Sequence, residues 1–374
     1  MNDLLIRAAT VVDEGRSFVA DVLVRHGVIE RVAPEGIGGA ARVQEVDGAG
    51  RHLLPGAIDD QVHFREPGLT HKEDIAHGSI AAAAGGVTSF MEMPNTVPNT
   101  LTQELLEEKY RRAAAISVVN HSFYMGVAND NLDEALRTDP RTVCGLKAFL
   151  GSSTGNMLVD DPGTLDALFR RAHMLLAVHA EDEATIRANM QRAVDRWGDA
   201  IPMEQHPAIR SAEACYTSSS NAVALAKAHG TRLHVLHIST ARETELFAPG
   251  PVEGKRITAE ACVHHLWFTD AQYGELGPWI KWNPAVKTAA DRATIRQAVI
   301  DDRIDVVATD HAPHTVDEKG RPYAQCPSGG PLVQHGLPAM LEMVHQGVFT
   351  VEQVVHKMAH APVRLFQVKD RGFV

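Results

Sequence analysis

The 374-residue chain contains few cysteines, few aromatic residues and no concentration of positive charge. Its four cysteines are widely spaced and form no CxxC pair, so the sequence indicates neither a disulfide framework nor a thiolate zinc site. Lysine and arginine together number 36 against 47 acidic residues, which gives a net charge of −11. Because no basic stretch is available to follow a phosphate backbone, we expect no nucleic-acid partner.

Long apolar runs are also absent from the sequence. No uninterrupted stretch approaches the roughly 18 residues that a membrane-spanning helix requires. The amino terminus carries acids where a signal peptide has basic residues. With the scarcity of cysteine, these absences predict a soluble cytoplasmic protein without a membrane partner.

The pattern of predicted secondary structure changes near residue 54. Before it, three short β-rich runs separated by glycine-containing turns predict a small antiparallel sheet over residues 4–12, 18–24 and 28–32. After it, apolar strands alternate with helices, which predicts βαβ units and parallel pairing. Counting the strand that ends at His63, eight strands are predicted, the others being 89–93, 122–127, 145–150, 175–179, 233–237, 257–261 and 305–308.

The helices predicted between these strands are 103–115, 164–174, 184–197, 212–229 and 291–301, with Thr102 as the cap of the first. Eight parallel strands close a TIM-type barrel, so the fold class predicted is α/β. We expect a small β domain over residues 1–54, a barrel over 55–364, and the start of a further β segment over 365–374.

Polar residues fall at or near the carboxyl ends of six different strands. In a parallel barrel these ends converge on one mouth, the face that carries catalysis; the residues concerned are His63, Asn95, Lys147, His179, His237 and Asp310. A single histidine in an apolar strand is more often a hydrogen-bonded core residue than a ligand. His179 and His237 depart from that rule because both follow the same apolar pattern at the ends of successive strands, and imidazole suits zinc.

Lys147 lies in a strand too apolar for a solvated side chain. Burial of a lysine favours the neutral amine, which can add carbon dioxide and form a carbamate that bridges two cations. The alternative is a lysine that extends to the rim of the barrel. Asp310 can ligate a metal and move a proton, although an aspartate that caps the following turn has the same local sequence. Arg65 offers a planar fork for a carboxylate.

Together these residues lie in motifs that resemble those of the dihydroorotases, a family of cyclic amidohydrolases. The similar blocks run nearly the length of the chain: PGAIDDQVHFREPG, AGGVTSFMEMPNT, GLKAFLGSSTGNM, VHAEDE, HVLHIST, ITAEACVHHL, WNPAVKT and ATDHAPHT. The resemblance implies a TIM barrel with a small composite β domain. It also implies interconversion of dihydroorotate and N-carbamoyl-L-aspartate in pyrimidine biosynthesis, in which hydroxide activated by zinc attacks the ring amide.

The same resemblance implies a role for each site residue. Metal ligands would be His63, carbamylated Lys147, His179, His237 and Asp310, and Asp310 would also shuttle the proton. The small acidic substrate would be held through its carboxylate by Arg65, Asn95 and His314, with Asn283 against the ring. A homodimer and an association with aspartate transcarbamoylase are the protein partners considered.

Two departures from the family pattern stand out. Gln61 replaces the first histidine of a His-x-His pair, and because an amide oxygen is a poorer zinc ligand, we expect the site shared by His63, Asp310 and Gln61 to be partial or labile. The chain also stops at Val374, where the family continues into further strands. From this we expect an unpaired edge and exposed apolar surface on the small sheet, with aggregation or low stability as the consequence.

Three alternative functions were weighed. A hydantoinase, dihydropyrimidinase or allantoinase would share the metal ligands but would not need the carboxylate-binding residues. A catalytically silent subunit that scaffolds aspartate transcarbamoylase would explain Gln61, but it is less favoured because five ligands are retained. A metal-independent hydrolase lacks support, since Ser152 and Ser153 have no nearby base and no G-x-S-x-G elbow.

Overall fold

Two sheets organise the chain in the computed structural model, which describes residues 3–39, 42–151 and 157–374. The first is the small sheet, in which β1, β2 and β3 pair antiparallel as predicted. Two further strands, β4 and β5, pair parallel to β1 and were not predicted. They are short and largely exposed, so they carry no strong alternation of apolar residues. The five strands are β1 Leu4–Asp13, β2 Arg16–Arg25, β3 Val28–Ala33, β4 Gln44–Asp47 and β5 His52–Leu53.

The second sheet is a barrel of eight parallel strands in sequential order. Its ends meet where His63 N donates to His311 O at 2.7 Å beside a parallel bridge between Val62 and His311. The predicted α/β barrel is therefore confirmed, and each predicted strand is present with small shifts at its ends. The strands are β6 Ala57–Val62, β7 Val87–Glu92, β8 Asn120–Gly126, β9 Gly145–Phe149, β10 Leu176–His179, β11 Leu233–Val235, β12 Ile257–Cys262 and β13 Val306–Ala308.

Helices connect the strands and cover the barrel. The predicted cap is present, since the side chain of Thr102 accepts a hydrogen bond from Leu105 N at 3.3 Å. The α-helices are α1 Ile75–Ala84, α2 Gln103–Ile116, α3 Leu132–Leu136, α4 Pro162–Arg171, α5 Glu183–Trp197, α6 His206–Ile209, α7 Ala212–His229, α8 Ala241–Thr244, α9 Val263–Trp267, α10 Tyr273–Leu276, α11 Ala289–Ile300, α12 Val316–Lys319, α13 Gly336–His345, α14 Val351–Val355 and α15 Ala361–Phe366.

Short helical turns complete the connections. Three of them are 3-10 helices and one is a π-helical turn between α14 and α15; they are Met203–Gln205, Asp270–Gln272, Gly277–Ile280 and His356–His360. All five predicted helices are present as α2, α4, α5, α7 and α11. Helix α1 was missed because its sequence, IAHGSIAAAA, is rich in alanine and has little contrast between faces.

The small sheet and the carboxyl-terminal residues lie against each other. Val374 packs on the apolar cluster formed by Val11, Ala20 and Val22. Strand β3 ends the sheet order in the described part of the chain, and its Val28 is 67% exposed. Helix α15 crosses residue 364, where a boundary was predicted, and the domain limits and the tendency to aggregate stay predictions.

The cysteines and the helices bear on two expectations drawn from composition. All four cysteines are buried and unpaired. None of the helices found in residues 3–39, 42–151 and 157–374 combines the length and apolar character needed to cross a bilayer. Ser152 and Ser153 lie outside the described residues.

Candidate active site

A cavity of ≈ 250 Å³ opens at the carboxyl ends of the barrel strands. Every residue predicted for the site lines this one cavity, although the residues come from distant parts of the sequence. They are Gln61, His63, Arg65, Asn95, Lys147, His179, His237, Asn283, Asp310 and His314. The barrel thus brings the predicted residues together, while their individual roles stay predictions.

Two histidines converge at the floor of the cavity. His179 Nδ1 lies 3.0 Å from His237 Nε2, close to the edge of about 3.3 Å that two ligands on a tetrahedral zinc would span. The other ring nitrogen of His179 lies 3.1 Å from the carboxylate of Glu181. The nearby negative charge favours a proton on Nε2, although the two groups are not aligned as a hydrogen bond, and this leaves the Nδ1 lone pair facing His237. Burial lowers the pKa of both imidazoles, so they are neutral near pH 7 and suited to a cation.

Lys147 is buried in β9, with 1% of its surface exposed. Its Nζ has no hydrogen-bond partner among the described residues and lies 4.5 Å from the centre of the Phe149 ring. Burial lowers its pKa to about 7. A buried amine with this pKa is substantially neutral at physiological pH, which is the form that reacts with carbon dioxide.

Asp310 follows β13 and is held by residues of β6 and of the segment after it, where the first and last barrel strands meet. Its Oδ1 accepts a hydrogen bond from Gln61 Nε2 at 3.0 Å and lies 3.3 Å from His63 Nε2. Asn95 Oδ1 in turn lies 2.8 Å from His63 Nδ1, so the proton of this imidazole is placed on Nδ1 and Nε2 faces Asp310. Gln61 therefore directs its amide nitrogen to Asp310, whereas the predicted ligand atom was its oxygen.

A positively charged wall faces these groups. The Arg65 Nε donates to Pro313 O at 3.1 Å, and its Nη2 lies 3.1 Å from His314 Nε2. Lys72 Nζ lies 3.1 Å from His314 Nδ1, and His314 Nε2 also lies 3.0 Å from Ser328 O. Burial, and then the charges of Arg65 and Lys72, lower the pKa of His314 to about 3. Because Lys72 is paired with Glu318 at 3.2 Å, the buried guanidinium of Arg65 is the charge at this wall that can attract an anion.

Backbone strain is concentrated at the same site. Arg65, His237 and Asp310 have φ angles of 65°, 41° and 48°, in the left-handed region that non-glycine residues rarely adopt. Such a conformation costs about 1–3 kcal/mol and persists only where the surroundings enforce it. At His237, the backbone N–H donates to Glu260 Oε1 at 2.9 Å.

Several supporting residues were missed by the sequence reasoning. Lys72 contributes charge beside His314, and Glu181 orients His179 while pairing with Arg210. Glu92 accepts from Phe64 N at 3.1 Å and pairs with Lys109 at 2.7 Å, which fixes the segment between His63 and Arg65. Glu92 and Glu181 could have been found from the sequence, because each lies in an apolar strand or at the end of one. Acids are rarely buried without a partner, so these positions indicate a paired, supporting role.

A second group of potential ligands lies deeper in the barrel. Asp60, His234 and Glu260 are fully buried, and one ligand atom from each lies within 4.8 Å of the others. These residues, which we call the interior triad, come from β6, β11 and β12. They were not predicted, although an acid in the middle of an apolar strand could have marked Glu260.

A parallel barrel with converging imidazoles, a buried lysine and an acid at its mouth defines the amidohydrolase class. The comparisons with known proteins agree. Residues 50–243 match the family model described as Dihydro-orotase-like. The chain belongs to this family of the amidohydrolase superfamily.

Two relatives illustrate the range of named activities in the family. The chain is 36% identical to the dihydroorotase of Halobacterium salinarum over 326 residues, which covers 86% of this chain and 74% of that protein. It is 32% identical to the allantoinase of Streptomyces avermitilis over 381 residues, covering 100% of this chain and 83% of that protein. The activity shared by these names is hydrolysis of a cyclic amide, and this chain is a cyclic amidohydrolase.

Solved structures give the same fold. The L-hydantoinase (dihydropyrimidinase) of Arthrobacter aurescens superposes with a TM-score of 0.93 at 26% identity, covering 100% of this chain and 84% of that chain. The dihydropyrimidinase of Brevibacillus agri superposes with a TM-score of 0.88 at 22% identity, covering 100% and 83%. The predicted family and the predicted barrel are thereby confirmed.

Proposed function

We propose that this chain interconverts dihydroorotate and N-carbamoyl-L-aspartate, the reaction of de novo pyrimidine biosynthesis. The observation that carries the proposal is the buried guanidinium of Arg65, which lines the same cavity as the converging histidines and has no carboxylate partner among the described residues. Dihydroorotate has both features that such a cavity matches, a cyclic amide and a carboxylate next to the ring. A neutral cyclic amide would leave the buried charge of Arg65 without a partner.

The floor of the cavity fits a divalent cation. Lys147 Nζ and His237 Nδ1 are buried without a hydrogen-bond partner among the described residues, and two neutral imidazoles converge beside them. The residues that would hold zinc are His63, Lys147 as its carbamate, His179, His237 and Asp310. Bound there, the ion would polarise the ring carbonyl and lower the pKa of water.

The chain's own residues bind the substrate and move the proton. Arg65 pairs with the substrate carboxylate, and its pKa of about 10, lowered by burial, leaves it charged at neutral pH. The imidazole of His314 and the amide of Asn95 add polar contacts for the same carboxylate. Asn283, whose Oδ1 is buried and lacks a hydrogen-bond partner in the described part of the chain, faces the ring.

Asp310 moves the proton in this scheme. It accepts a proton from the attacking water and returns it to the leaving ring nitrogen, so the reverse reaction uses the same group. The hydrogen bond from Gln61 Nε2 fixes Oδ1 of this carboxylate. Gln61 thus acts as a positioning residue for Asp310, whether or not it also contacts an ion.

A second candidate is a hydantoinase or allantoinase activity. It is favoured by the similarity to the Streptomyces avermitilis allantoinase over the whole chain and by the Arthrobacter aurescens L-hydantoinase structure. Both candidates would use the same cavity floor. They differ in whether the substrate carries a carboxylate that pairs with Arg65. The discriminating quantity is therefore the selectivity between cyclic amides with and without a carboxylate.

The test is a substrate panel with the zinc-supplemented protein. Dihydroorotate and N-carbamoyl-L-aspartate would be compared with hydantoin, dihydrouracil and allantoin under identical conditions. We expect kcat/KM for dihydroorotate to exceed that for the neutral rings by about 100-fold, the value of one charge-assisted contact. Faster turnover of a neutral ring would overturn the proposal, and no turnover of any ring would support the silent subunit. Cytoplasmic location, the homodimer and the transcarbamoylase association stay predictions.

A further inference from the structure

We propose that the interior triad of Asp60, His234 and Glu260 is a structural cation site, separate from the cavity and suited to zinc or a similar divalent transition metal. The triad does not line the cavity, and its residues come earlier on the same chain segments, Asp60 before Gln61 and His234 before His237. The proposal does not depend on which cyclic amide the chain hydrolyses.

Four polar atoms of the triad are buried without a hydrogen-bond partner in the described part of the chain. Both carboxylate oxygens of Asp60, Oε2 of Glu260 and Nε2 of His234 have no hydrogen-bond partner among the described residues. All three side chains are fully buried, with 0% of their surface exposed. Buried carboxylates without partners are strongly unfavourable, so either a cation lies between them or protons neutralise them.

The tautomer of His234 is set for a ligand. Its Nδ1 lies 2.8 Å from Thr258 Oγ1, and that hydroxyl donates its own hydrogen to Leu233 O at 3.2 Å. Thr258 must therefore accept from His234, which places the hydrogen on Nδ1 and the lone pair on Nε2. In the neutral imidazole that lone pair faces two carboxylates, an arrangement that a cation between them would stabilise and that otherwise requires a proton on Nε2.

The distances suit a small ion. His234 Nε2 lies 3.3 Å from Asp60 Oδ2, which equals the ligand–ligand edge of about 3.3 Å expected for tetrahedral zinc. It lies 4.0 Å from Glu260 Oε2, so a modest inward movement of Glu260 would complete the set. One imidazole with two carboxylates selects a transition metal over calcium or magnesium, which prefer oxygen ligands.

The triad is sealed and linked to the cavity above it. From below, the Phe366 ring packs edge-on against His234, with ring centres 5.8 Å apart. From above, Glu260 Oε1 accepts from His237 N at 2.9 Å and from the thiol of Cys262 at 3.2 Å. A cation on the other oxygen of Glu260 would therefore fix the strained backbone at His237 and tie together strands β6, β11 and β12.

The direct test is anomalous diffraction from crystals of the zinc-supplemented wild-type protein, recorded on both sides of the zinc absorption edge. We expect a peak about 2.0–2.2 Å from ligand atoms of Asp60, His234 and Glu260, apart from any peak in the cavity. Peaks in the cavity with none at the triad would overturn the proposal and would mean that protons neutralise the triad. This readout needs no variant and no activity.

Metal analysis of variants gives an independent readout. We expect Asp60→Asn to lower the zinc content after gel filtration by about one ion per chain, and His179→Ala to leave that ion in place. The matched control is Asp59→Asn, because Asp59 is an equally buried neighbour whose carboxylate accepts from Thr309 N at 3.2 Å and Thr309 Oγ1 at 2.5 Å. Equal zinc content in Asp60→Asn and Asp59→Asn, both folded by circular dichroism, would contradict the proposal. If Asp60→Asn does not fold, the diffraction experiment decides.

Discussion

The two walls of the cavity are built in different ways. The ligand wall is formed by Lys147, His179 and His237. Lys147 and His179 are fixed by parallel pairing of β9 with β10, and His237 follows β11 by two residues, where its N–H donates to Glu260 Oε1. The clamp wall, formed by Arg65, Asn95 and His314, lies on loops that follow the strands. Asn95 is held by the side chain of His63, and the other two are held by the backbone carbonyls of Pro313 and Ser328.

This difference separates what is common to the family from what distinguishes its members. Strand ends in a barrel cannot shift without disturbing the whole sheet, so they suit a metal site that every cyclic amidohydrolase needs. Loops can change without that cost, so they suit the contacts that choose among cyclic amides. If the two walls are independent, a substitution in one should leave the function of the other intact.

The largest effect is expected at the junction of the walls, with Asp310→Asn. The variant keeps the shape of the side chain but removes the proton acceptor, so kcat should fall by about 10²–10⁴-fold. The measurement is kcat for dihydroorotate in both directions, with zinc content recorded in parallel. A near-normal rate with full zinc content would remove Asp310 from the proton-transfer role.

The clamp wall alone should respond to Arg65→Met. Loss of the buried guanidinium should weaken transition-state binding of a carboxylate substrate by about 2–5 kcal/mol, since the substrate's charge then has no partner. Turnover of hydantoin, which has no carboxylate, should change little. The measurement is the ratio of the two kcat/KM values, with the half-exposed Arg112 changed to Met as the control. An equal loss for both substrates would show that the walls are not separable.

The ligand wall alone should respond to Glu181→Gln. The amide no longer holds the proton of His179 on Nε2 as strongly, so zinc affinity should fall by about 10–100-fold. Competition against a fluorescent zinc chelator measures the change, and Glu213→Gln on the exposed face of α7 is the matched control. Unchanged zinc affinity with altered KM for dihydroorotate would place Glu181 with the clamp instead.

The smallest effect concerns histidines outside both walls. Burial lowers the pKa of His265 and of His356 to about 4 in the folded protein. The unfolded chain binds these protons near its ordinary pKa of about 6.5, so the unfolding free energy should decrease as the pH falls from about 6.5 towards 4. Urea unfolding in the presence of a chelator measures the slope, and His356→Gln should reduce it. A flat profile across this range would contradict the assignment.

Much of the barrel was predictable because the patterns that define its strands and helices lie in residues close together in the sequence. Apolar runs of strand length, helices with capping residues such as Thr102, and polar residues at strand ends are all readable from neighbouring positions. The convergence of Lys147, His179 and His237 followed from topology alone, since parallel strands in a barrel bring their carboxyl ends together.

Other features depend on residues far apart in the chain and could not be predicted in this way. The contacts of Lys72 with His314 and of Gln61 with Asp310 join segments more than 200 positions apart. Helix α1 was missed because its alanine-rich sequence carries weak periodicity and its position against β7 decides its structure. Strands β4 and β5 exist because β1 supplies a partner, and their own residues have little strand preference.

By itself, the sequence determined the order of strands and helices, the family and the set of side chains that meet at the barrel mouth, because periodicity and motif spacing are properties of neighbouring residues. Only the tertiary structure decided which atom of Gln61 faces Asp310, which nitrogen of His234 is free, and that Asp60, His234 and Glu260 share one buried space. These depend on rotamers and packing between strands that the chain brings together only when the barrel closes.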